Sequence, residues 1–447
     1  MQRFALWLYA LATCLATPLL RAKLRRRALA EPAYGQHVDE RFGHYGPALD
    51  SVQPQAEDER FVWIHAVSLG ETRAAALLLK ELRPLLPGMR LLLTHGTATG
   101  RAEGAALLQP GDVQLWLPWD TPGATRRFVR HFRPAIGILM ETEVWPCLAA
   151  ACRRAGVPLV LANARLNEKS RAGARRLAWL ARPAYAGLAA AWAQTEADAE
   201  RLRSVGAPVA AVLGNLKFDV MPPPAQQAQG RTWRAAATRP VALLASSRKG
   251  EEALWLTALQ SNRPPAQAGQ APAAIKTGAI GKLQWLLVPR HPQRFDEVER
   301  LCRAAGLTVS RRSRWTGGPE PADVWLGDSM GEMALYYGLA HVALLGGSFE
   351  PLGGQNLIEA AACGCPVVMG PHTFNFAEAA ELALQAGAAE RVPDMASAVQ
   401  AAAALALDAP AQARAAGRCL AFAEAHRGGA LATALAIVQQ LRRPTER

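Results

Sequence analysis

A chain of 447 residues, 50% hydrophobic and 19% charged, has the means to bury two or three cores and excludes global disorder. Its 50 Lys and Arg against 37 Asp and Glu leave a net charge of +13, a balance suited to a partner that carries phosphates: nucleotide, nucleic acid or anionic membrane. No basic stripe is interleaved with aromatics and no nucleic-acid motif is present, which argues against nucleic acid. The seven Cys form no CxxC pair, and Cys363 and Cys365 sit in an apolar run where buried thiols are the ordinary occupants, so neither a metal nor a disulfide is expected and a reducing compartment fits.

Residues 4–20, "FALWLYALATCLATPLL", form an apolar stretch at the lower edge of what spans a bilayer. A cleavable secretory signal carries its positive charge ahead of the apolar stretch, but here only Arg3 precedes it, and Arg21, Lys23, Arg25, Arg26 and Arg27 come after it. Residues 1–30 therefore read as a membrane anchor with a basic flank, spanning the bilayer or lying in its interface, and the positive-inside rule puts the rest of the chain in the cytoplasm. A buried first helix of the globular part is the alternative.

From Phe61 short apolar runs alternate with amphipathic ones. "FVWIHAV", "RLLLTHG", "VQLWLPW", "AIGILME", "VPLVLANA", "AAAWAQT" and "PVAAVLGN" read as strands with helices between, the pattern of βαβ units and a parallel sheet covered on both faces. That predicts one Rossmann-like domain over residues 31–220. "MPPPAQQAQG" then interrupts the pattern, and residues 221–239 read as an interdomain linker. Over residues 240–447 the alternation restarts with "VALLASS", "LQWLLVPR", "LTVSR", "ADVWLGD", "HVALLGG" and "CPVVMG", a second α/β domain whose last helix can pack back on the first. Residues 261–282, rich in Pro, Ala, Gly and Gln, read as a surface insertion. The expected architecture is two Rossmann-like domains facing across a cleft, as in many nucleotide-sugar glycosyltransferases and some sugar-nucleotide epimerases.

Ligands of open parallel sheets bind beyond the carboxyl ends of the strands, and nearly every predicted strand ends in polar residues. Ser68 and Glu71, Thr94 and His95, Glu141 and Glu143, Asn163 and Arg165, and Asn215 and Lys217 end those of the first half; Ser246, Ser247, Arg248 and Lys249, then Arg290 and His291, then "GGSFEPLGGQN" end those of the second. Gly353 and Gly354 ahead of Asn356 and "LIEAAACG" place a glycine turn at a helix start, where bare N–H groups suit a phosphate. Glu359, one turn on, is within reach of a ribose diol, and Arg248, Lys249 and Arg290 offer positive charge to a leaving phosphate. Neither GxGxxG nor a P-loop occurs, so dinucleotide oxidoreduction and nucleotide hydrolysis lose support, and no carboxylate cluster suggests a metal.

Glu71 comes after a strand end and directly after Gly70, which allows a sharp turn. It suits a base that takes a proton from a hydroxyl, and equally a glutamate favoured at a helix N-terminus by the macrodipole. His65 reads as a satisfied strand residue and His95 as a substrate contact or a core histidine. Glu141 and Glu143 fall on opposite faces of a continuing strand, so one of them is expected to matter.

Nine segments in order, "HAVSLGET", "LLLTHGTATGR", "METEVWP", "NARLNEKS", "GNLKFD", "VPRHPQRF", "GEMALYYGLA", "LLGGSFEPLGGQN" and "VVMGPHTFNF", give the chain a resemblance to the 3-deoxy-D-manno-octulosonic acid (Kdo) transferases of lipopolysaccharide assembly, from Phe61 to about Glu381. The resemblance implies a GT-B fold, CMP-Kdo as donor, a lipid A precursor (lipid IVA) as acceptor, inversion at the anomeric carbon, no cofactor, and a place on the cytoplasmic side of the inner membrane. It implies Glu71 as general base, Glu141 as a second functional acid, and donor contacts from Arg290, Asn356 and Glu359, with Lys217, Ser246 and Arg248 as further candidates. Two departures stand out. Arg248 in "SSRKGEE" replaces a histidine common in the family, and Gln355 in "GGQN" replaces another, leaving no titrating group there.

Overall fold

The computed structural model describes residues 2–50, 60–261 and 278–443. Apolar β-branched and aromatic runs too short for helices pair into two parallel seven-stranded sheets. In the first, β1 (Phe61–His65), β2 (Arg90–His95), β3 (Val113–Trp116), β4 (Ile136–Met140), β5 (Leu159–Ala164), β6 (Ala190–Ala193) and β7 (Val209–Val212) lie in the order β3-β2-β1-β4-β5-β6-β7. In the second, β8 (Val241–Ser247), β9 (Gln284–Pro289), β10 (Val309–Arg311), β11 (Val324–Leu326), β12 (Val342–Leu345), β13 (Val367–Met369) and β14 (Ala389–Arg391) lie in the order β10-β11-β9-β8-β12-β13-β14. All thirteen expected strands form. The fourteenth, β14, is three residues of half-exposed "AER" that carry no apolar signal.

The chain divides into two units, Met1–Asp219 with His426–Arg447, and Val220–Ala425. In the first, every residue of β1 is buried because both sheet faces are covered. Phe61 and Trp63 enter one core with Phe128, Phe132 and Leu148, while Val62 and Ile64 enter the other with Leu78, Leu82 and Ile437.

At the N-terminus α1 (Gln2–Leu15) and α2 (Thr17–Ala30) replace the single apolar helix expected over residues 4–20. Pro18 has no N–H to give to the Cys14 carbonyl, so the helix breaks there. Fourteen residues reach about 21 Å, short of a hydrocarbon core of about 30 Å. Among the described residues no helix is long and apolar enough to cross a membrane. Nor is α1 a buried core helix: Phe4, Trp7, Leu8, Leu11 and Leu15 are exposed along it.

The first unit continues with α3 (Leu69–Leu85) on one face of the sheet and α4 (Pro122–Phe132), α5 (Pro146–Arg154) and α6 (Ala178–Ala186) on the other. The expected linker of residues 221–239 holds a helix instead, α7 (Pro224–Ala236). Its prolines precede or open the first turn, where a missing N–H costs nothing, so they start a helix rather than mark a flexible joint. It packs on α9 (Met333–Leu339), which comes after α8 (Glu251–Ser261) in the second unit. Then come α10 (Leu357–Ala362) and, back in the first unit, α11 (Gly429–Arg442), which packs on α3. The Asp219 carboxylate accepts the Ala430 N–H at 2.7 Å and fixes the start of α11. Most of the 261–282 insertion lies outside the described residues.

Glycine sets the α7–α9 contact. A methyl on Gly230 would stand 2.2 Å from the Leu335 carbonyl oxygen, and one on Gly338 would stand 2.7 Å from that of Gln227. Backbone blocks both, so Gly230→Ala is expected to lower stability by about 1–3 kcal/mol, measured by urea unfolding, against under about 0.5 kcal/mol for Gly173→Ala, whose Cβ would meet nothing.

Candidate active site

In each sheet the strand order reverses beside the first strand, between β1 and β4 in the first and between β8 and β12 in the second. A crevice opens at such a reversal, because successive crossovers leave in opposite directions, and ligands of open α/β sheets bind there. The chemistry-bearing residues cluster at both.

Glu71 is the third residue of α3, after the N-cap Ser68. One carboxylate oxygen accepts the Val67 N–H at 2.8 Å, the other the Ser68 hydroxyl at 2.9 Å, and Ser68 Oγ accepts the Glu71 N–H at 3.4 Å. Glu71 thus fastens the start of α3 through Ser68 and the residue before it, so the helix-start alternative is realised. These bonds do not exhaust the carboxylate, since each oxygen keeps a second lone pair for a hydroxyl. Burial pushes its pKa up to about 7 against the hydrogen bonds from Val67 and Ser68, and the nearby Glu141 and Glu143 add to the rise.

The strand does not continue through Glu141. It ends at Met140, and Glu141 takes φ of +59°. A left-handed residue with a Cβ costs roughly 1–2 kcal/mol, the kind of strain kept where a side chain must be aimed. The opposite-face expectation fails for that reason: both acids of "METEVWP" act on Glu71, and burial raises Glu143 as well. Glu141 is 5% exposed, bonded to Lys217 Nζ at 3.1 Å and Arg165 Nε at 2.8 Å. Lys217 thus sits in the first unit as the partner of Glu141. Asn163, one of the strand-end polar residues but given no role there, sets this up: its Oδ1 accepts the Leu216 N–H at 3.1 Å, and its own φ is +50°. The signal was an asparagine ending an apolar strand, a residue type that tolerates left-handed backbone.

Neither histidine is available. His65 Nδ1 lies 3.0 Å from Thr94 Oγ1, and burial lowers its pKa to about 3. His95 is fully buried between the Ala66 carbonyl, 3.0 Å from Nδ1, and the Gln114 amide, 3.1 Å from Nε2; burial lowers its pKa to about 4. His95 is a neutral core residue and not a substrate contact.

In the second unit Arg248, Arg290 and Arg294 surround His291, whose pKa is lowered by desolvation and by all three guanidinium groups. Arg294 is committed to Glu252 by two bonds of 2.6 and 3.1 Å. Arg248 has no carboxylate partner among the described residues. Ser246, next to last in β8, takes φ of +54°, its hydroxyl against Met333 Sδ. Gly353 and Gly354 both take positive φ, folding the second glycine turn onto the first: the Gly354 N–H donates to Gly347 at 2.7 Å and that of Gln355 to Gly346 at 3.1 Å. Asn356 Oδ1 accepts the Ile358 N–H at 3.0 Å and caps α10, and half-buried Glu359 lies near Tyr337, whose phenol burial and that carboxylate push up.

Glu251 joins these loops and was not singled out. It is fully buried and accepts the N–H groups of Arg248, Gly347 and Phe349 at 2.9, 2.7 and 3.1 Å. The signal was available in "GEE", a pair of acids in the first turn of a helix after a strand end. Among the described residues no group of three His, Cys, Asp or Glu is arranged to hold a metal. Glu251→Ala orphans three buried donors and is expected to cost about 3 kcal/mol or more in urea unfolding, with Glu251→Gln intermediate because its amide N–H₂ confronts at least one of those donors.

A sequence profile of the family described as 3-Deoxy-D-manno-octulosonic-acid transferase (kdotransferase) matches residues 36–220. A 3-deoxy-D-manno-octulosonic acid transferase of Bordetella pertussis is 51% identical over 339 residues, 74% of this chain and 76% of the relative. One of Haemophilus influenzae is 32% identical over 365 residues, 81% of each. A glycosyltransferase from Rickettsia africae, 12% identical, covers 86% of this chain and 98% of its own with a TM-score of 0.53, a likeness of fold alone that agrees with two parallel-sheet units of the GT-B kind. At that identity and coverage of the two relatives, the chain belongs to the family of 3-deoxy-D-manno-octulosonic acid transferases and is a glycosyltransferase.

Proposed function

We propose that this protein transfers Kdo from CMP-Kdo to a lipid A precursor, lipid IVA, with inversion at the anomeric carbon. Glu71 carries the reading: a carboxylate at the reversal of its sheet whose burial holds it near neutral pKa, the poise a general base needs at cellular pH. The acceptor hydroxyl gives its proton to Glu71 as its oxygen forms a bond to the anomeric carbon. The bond from that carbon to the phosphate oxygen breaks, and CMP departs with the electron pair. A single displacement of this kind inverts the centre.

Glu141, held between Lys217 and Arg165, orients the acceptor. In the second unit Arg248 and Arg290 stabilise the charge gathering on the leaving phosphate. The glycine turns ahead of Asn356 give it backbone N–H groups, and Glu359 accepts from the ribose. The family's histidine at position 248 is an arginine here, a donor fixed in its charge, so phosphate contact persists without proton transfer.

The lipid acceptor calls for a protein held at a membrane, and α1 supplies a surface for it. Phe4, Trp7, Leu8, Leu11 and Leu15 recur at helical spacing and are exposed. On α2, Arg21 and Arg27 lie over Phe42 and Tyr34, leaving Lys23, Arg25 and Arg26 exposed beside them. We infer that α1 lies in the interface on the cytoplasmic face of the inner membrane, its apolar stripe among acyl chains and its basic flank among anionic headgroups.

Purified protein given freshly generated CMP-Kdo and tetra-acylated lipid A precursor should form a Kdo adduct seen by mass spectrometry; a folded protein that yields none removes the donor–acceptor reading. The rate constant kcat/KM should rise with pH through about 7 and level off above, since only ionised Glu71 accepts the proton. Glu71→Gln should lower kcat by about 10²–10⁴-fold and abolish that limb. Retention of the limb in that variant shifts the base elsewhere. Leu8→Ser/Leu11→Ser/Leu15→Ser should lose flotation with vesicles at an unchanged thermal midpoint; flotation equal to wild type overturns the interfacial role of α1.

A further inference from the structure

A cavity of about 1270 Å³ runs along the groove between α4 and α5, on the sheet face opposite α3. It extends from Pro122 and Pro146, at the starts of the two helices beside the catalytic edge of the sheet, to Arg133 and Arg154 at their ends. α4 alone spans about 16 Å, so the far end of the groove lies a helix length from the edge that bears Glu71. Two kinds of wall line it. One is apolar, with α1 and α6 contributing Trp7 and Trp179, which are 57% and 49% exposed. The other is cationic: Arg126, Arg130, Arg153 and Arg154 line the groove, and its lining contains no Asp or Glu. None of these four has a carboxylate partner among the described residues.

Arginines at the ends of α4 and α5 suit the helix dipoles. That does not account for the number brought to one groove, or for Arg126 and Arg130 one turn apart on the same helix, where like charges repel. A multiply arginine-lined wall lowers its free energy by taking an anion in bidentate contact. The apolar wall with half-exposed tryptophans at its rim fits a ligand whose other part is hydrocarbon, and Trp7 belongs both to the rim and to the exposed stripe of α1. A free phosphate or a nucleotide leaves the tryptophan wall uncovered; an acidic peptide leaves no reason for the groove to open beside that stripe.

We propose that the α4–α5 groove binds one anionic phospholipid of the bilayer, its phosphate on Arg126, Arg130, Arg153 and Arg154 and its acyl chains along Trp7 and Trp179, as a site separate from that of the sugar acceptor. It rests on the interfacial placement of α1, and it gives that placement a lipid preference: the protein settles where anionic phospholipid is present. Bound lipid also fixes α1 against α5 and α6.

The test is native mass spectrometry of the full chain in neutral detergent with dioleoyl phosphatidylglycerol, dioleoyl phosphatidylcholine or inorganic phosphate, together with flotation on phosphatidylcholine vesicles with and without phosphatidylglycerol. Wild type should retain one phosphatidylglycerol per chain and neither other probe. Arg130→Ala/Arg154→Ala should weaken that retention by roughly tenfold or more, whereas Arg175→Ala/Arg176→Ala, which removes equal charge from outside the groove, should not. Equal loss in both double variants, retention of phosphatidylcholine as well as phosphatidylglycerol, or displacement of the lipid by phosphate overturns the site. A chain that floats with vesicles yet holds no phosphatidylglycerol in detergent refutes the groove and spares the interfacial reading. A chain that holds one phosphatidylglycerol in detergent but floats with neither vesicle supports the groove and refutes the placement of α1.

Discussion

A carboxylate taken out of water has to be bonded on nearly every lone pair, and both sheets use that demand to gather the loops at their carboxyl ends. Glu251 draws together three backbone N–H groups from two loops of the second unit, so that the glycine turn after β12 and the basic loop after β8 become one object. Glu141 does the same in the first unit with two cations, Arg165 and Lys217, reaching it from the loops after β5 and β7. Parallel strands deliver their loops to one edge, and the buried acids decide how those loops sit.

The same demand fixes Glu71, the base proposed above. Its bonds to Val67 and Ser68 close the first turn of α3 and hold the carboxylate in one orientation. Burial then raises its proton affinity, with Glu141 and Glu143 contributing through space. A capping glutamate on an exposed helix would be a weak base; removal from water converts a capping group into a strong one. Of the two readings open in the sequence, the helix-start glutamate is realised, and it leaves room on the carboxylate for the proposed proton transfer.

Most of the architecture was legible because buried parallel strands are written as unbroken apolar runs, and the polar residues closing them stand out. Thirteen strands and both reversal-point clusters came from that one signal. What failed had a different physical origin. Proline suggests a break at residues 221–239, but at the first turn of a helix it costs nothing, and Gly230 then allows α7 to touch α9 backbone to backbone. The apolar run of residues 4–20 suggests one helix by its length and composition, whereas Pro18 divides it into two. His95 looks chemical at a strand end, yet its two ring nitrogens are both satisfied inside the core. Glu251, and the role of Asn163, escape a reading of the sequence because they act on the backbone of other loops, a relation that no local spacing records.

The return of residues 426–443 to the first unit has a consequence for the order in which the protein is built. Ala434 and Ile437 belong to the same core as Ile64 and Leu78, and Asp219 waits for the Ala430 N–H. On the ribosome the first unit emerges first but leaves part of the sheet face under α3 uncovered, while the whole of Val220–Ala425 is translated and able to fold. The usual order of domain completion is inverted. The nascent first unit carries an uncovered apolar surface for some two hundred residues of synthesis, and α11, arriving last, closes it.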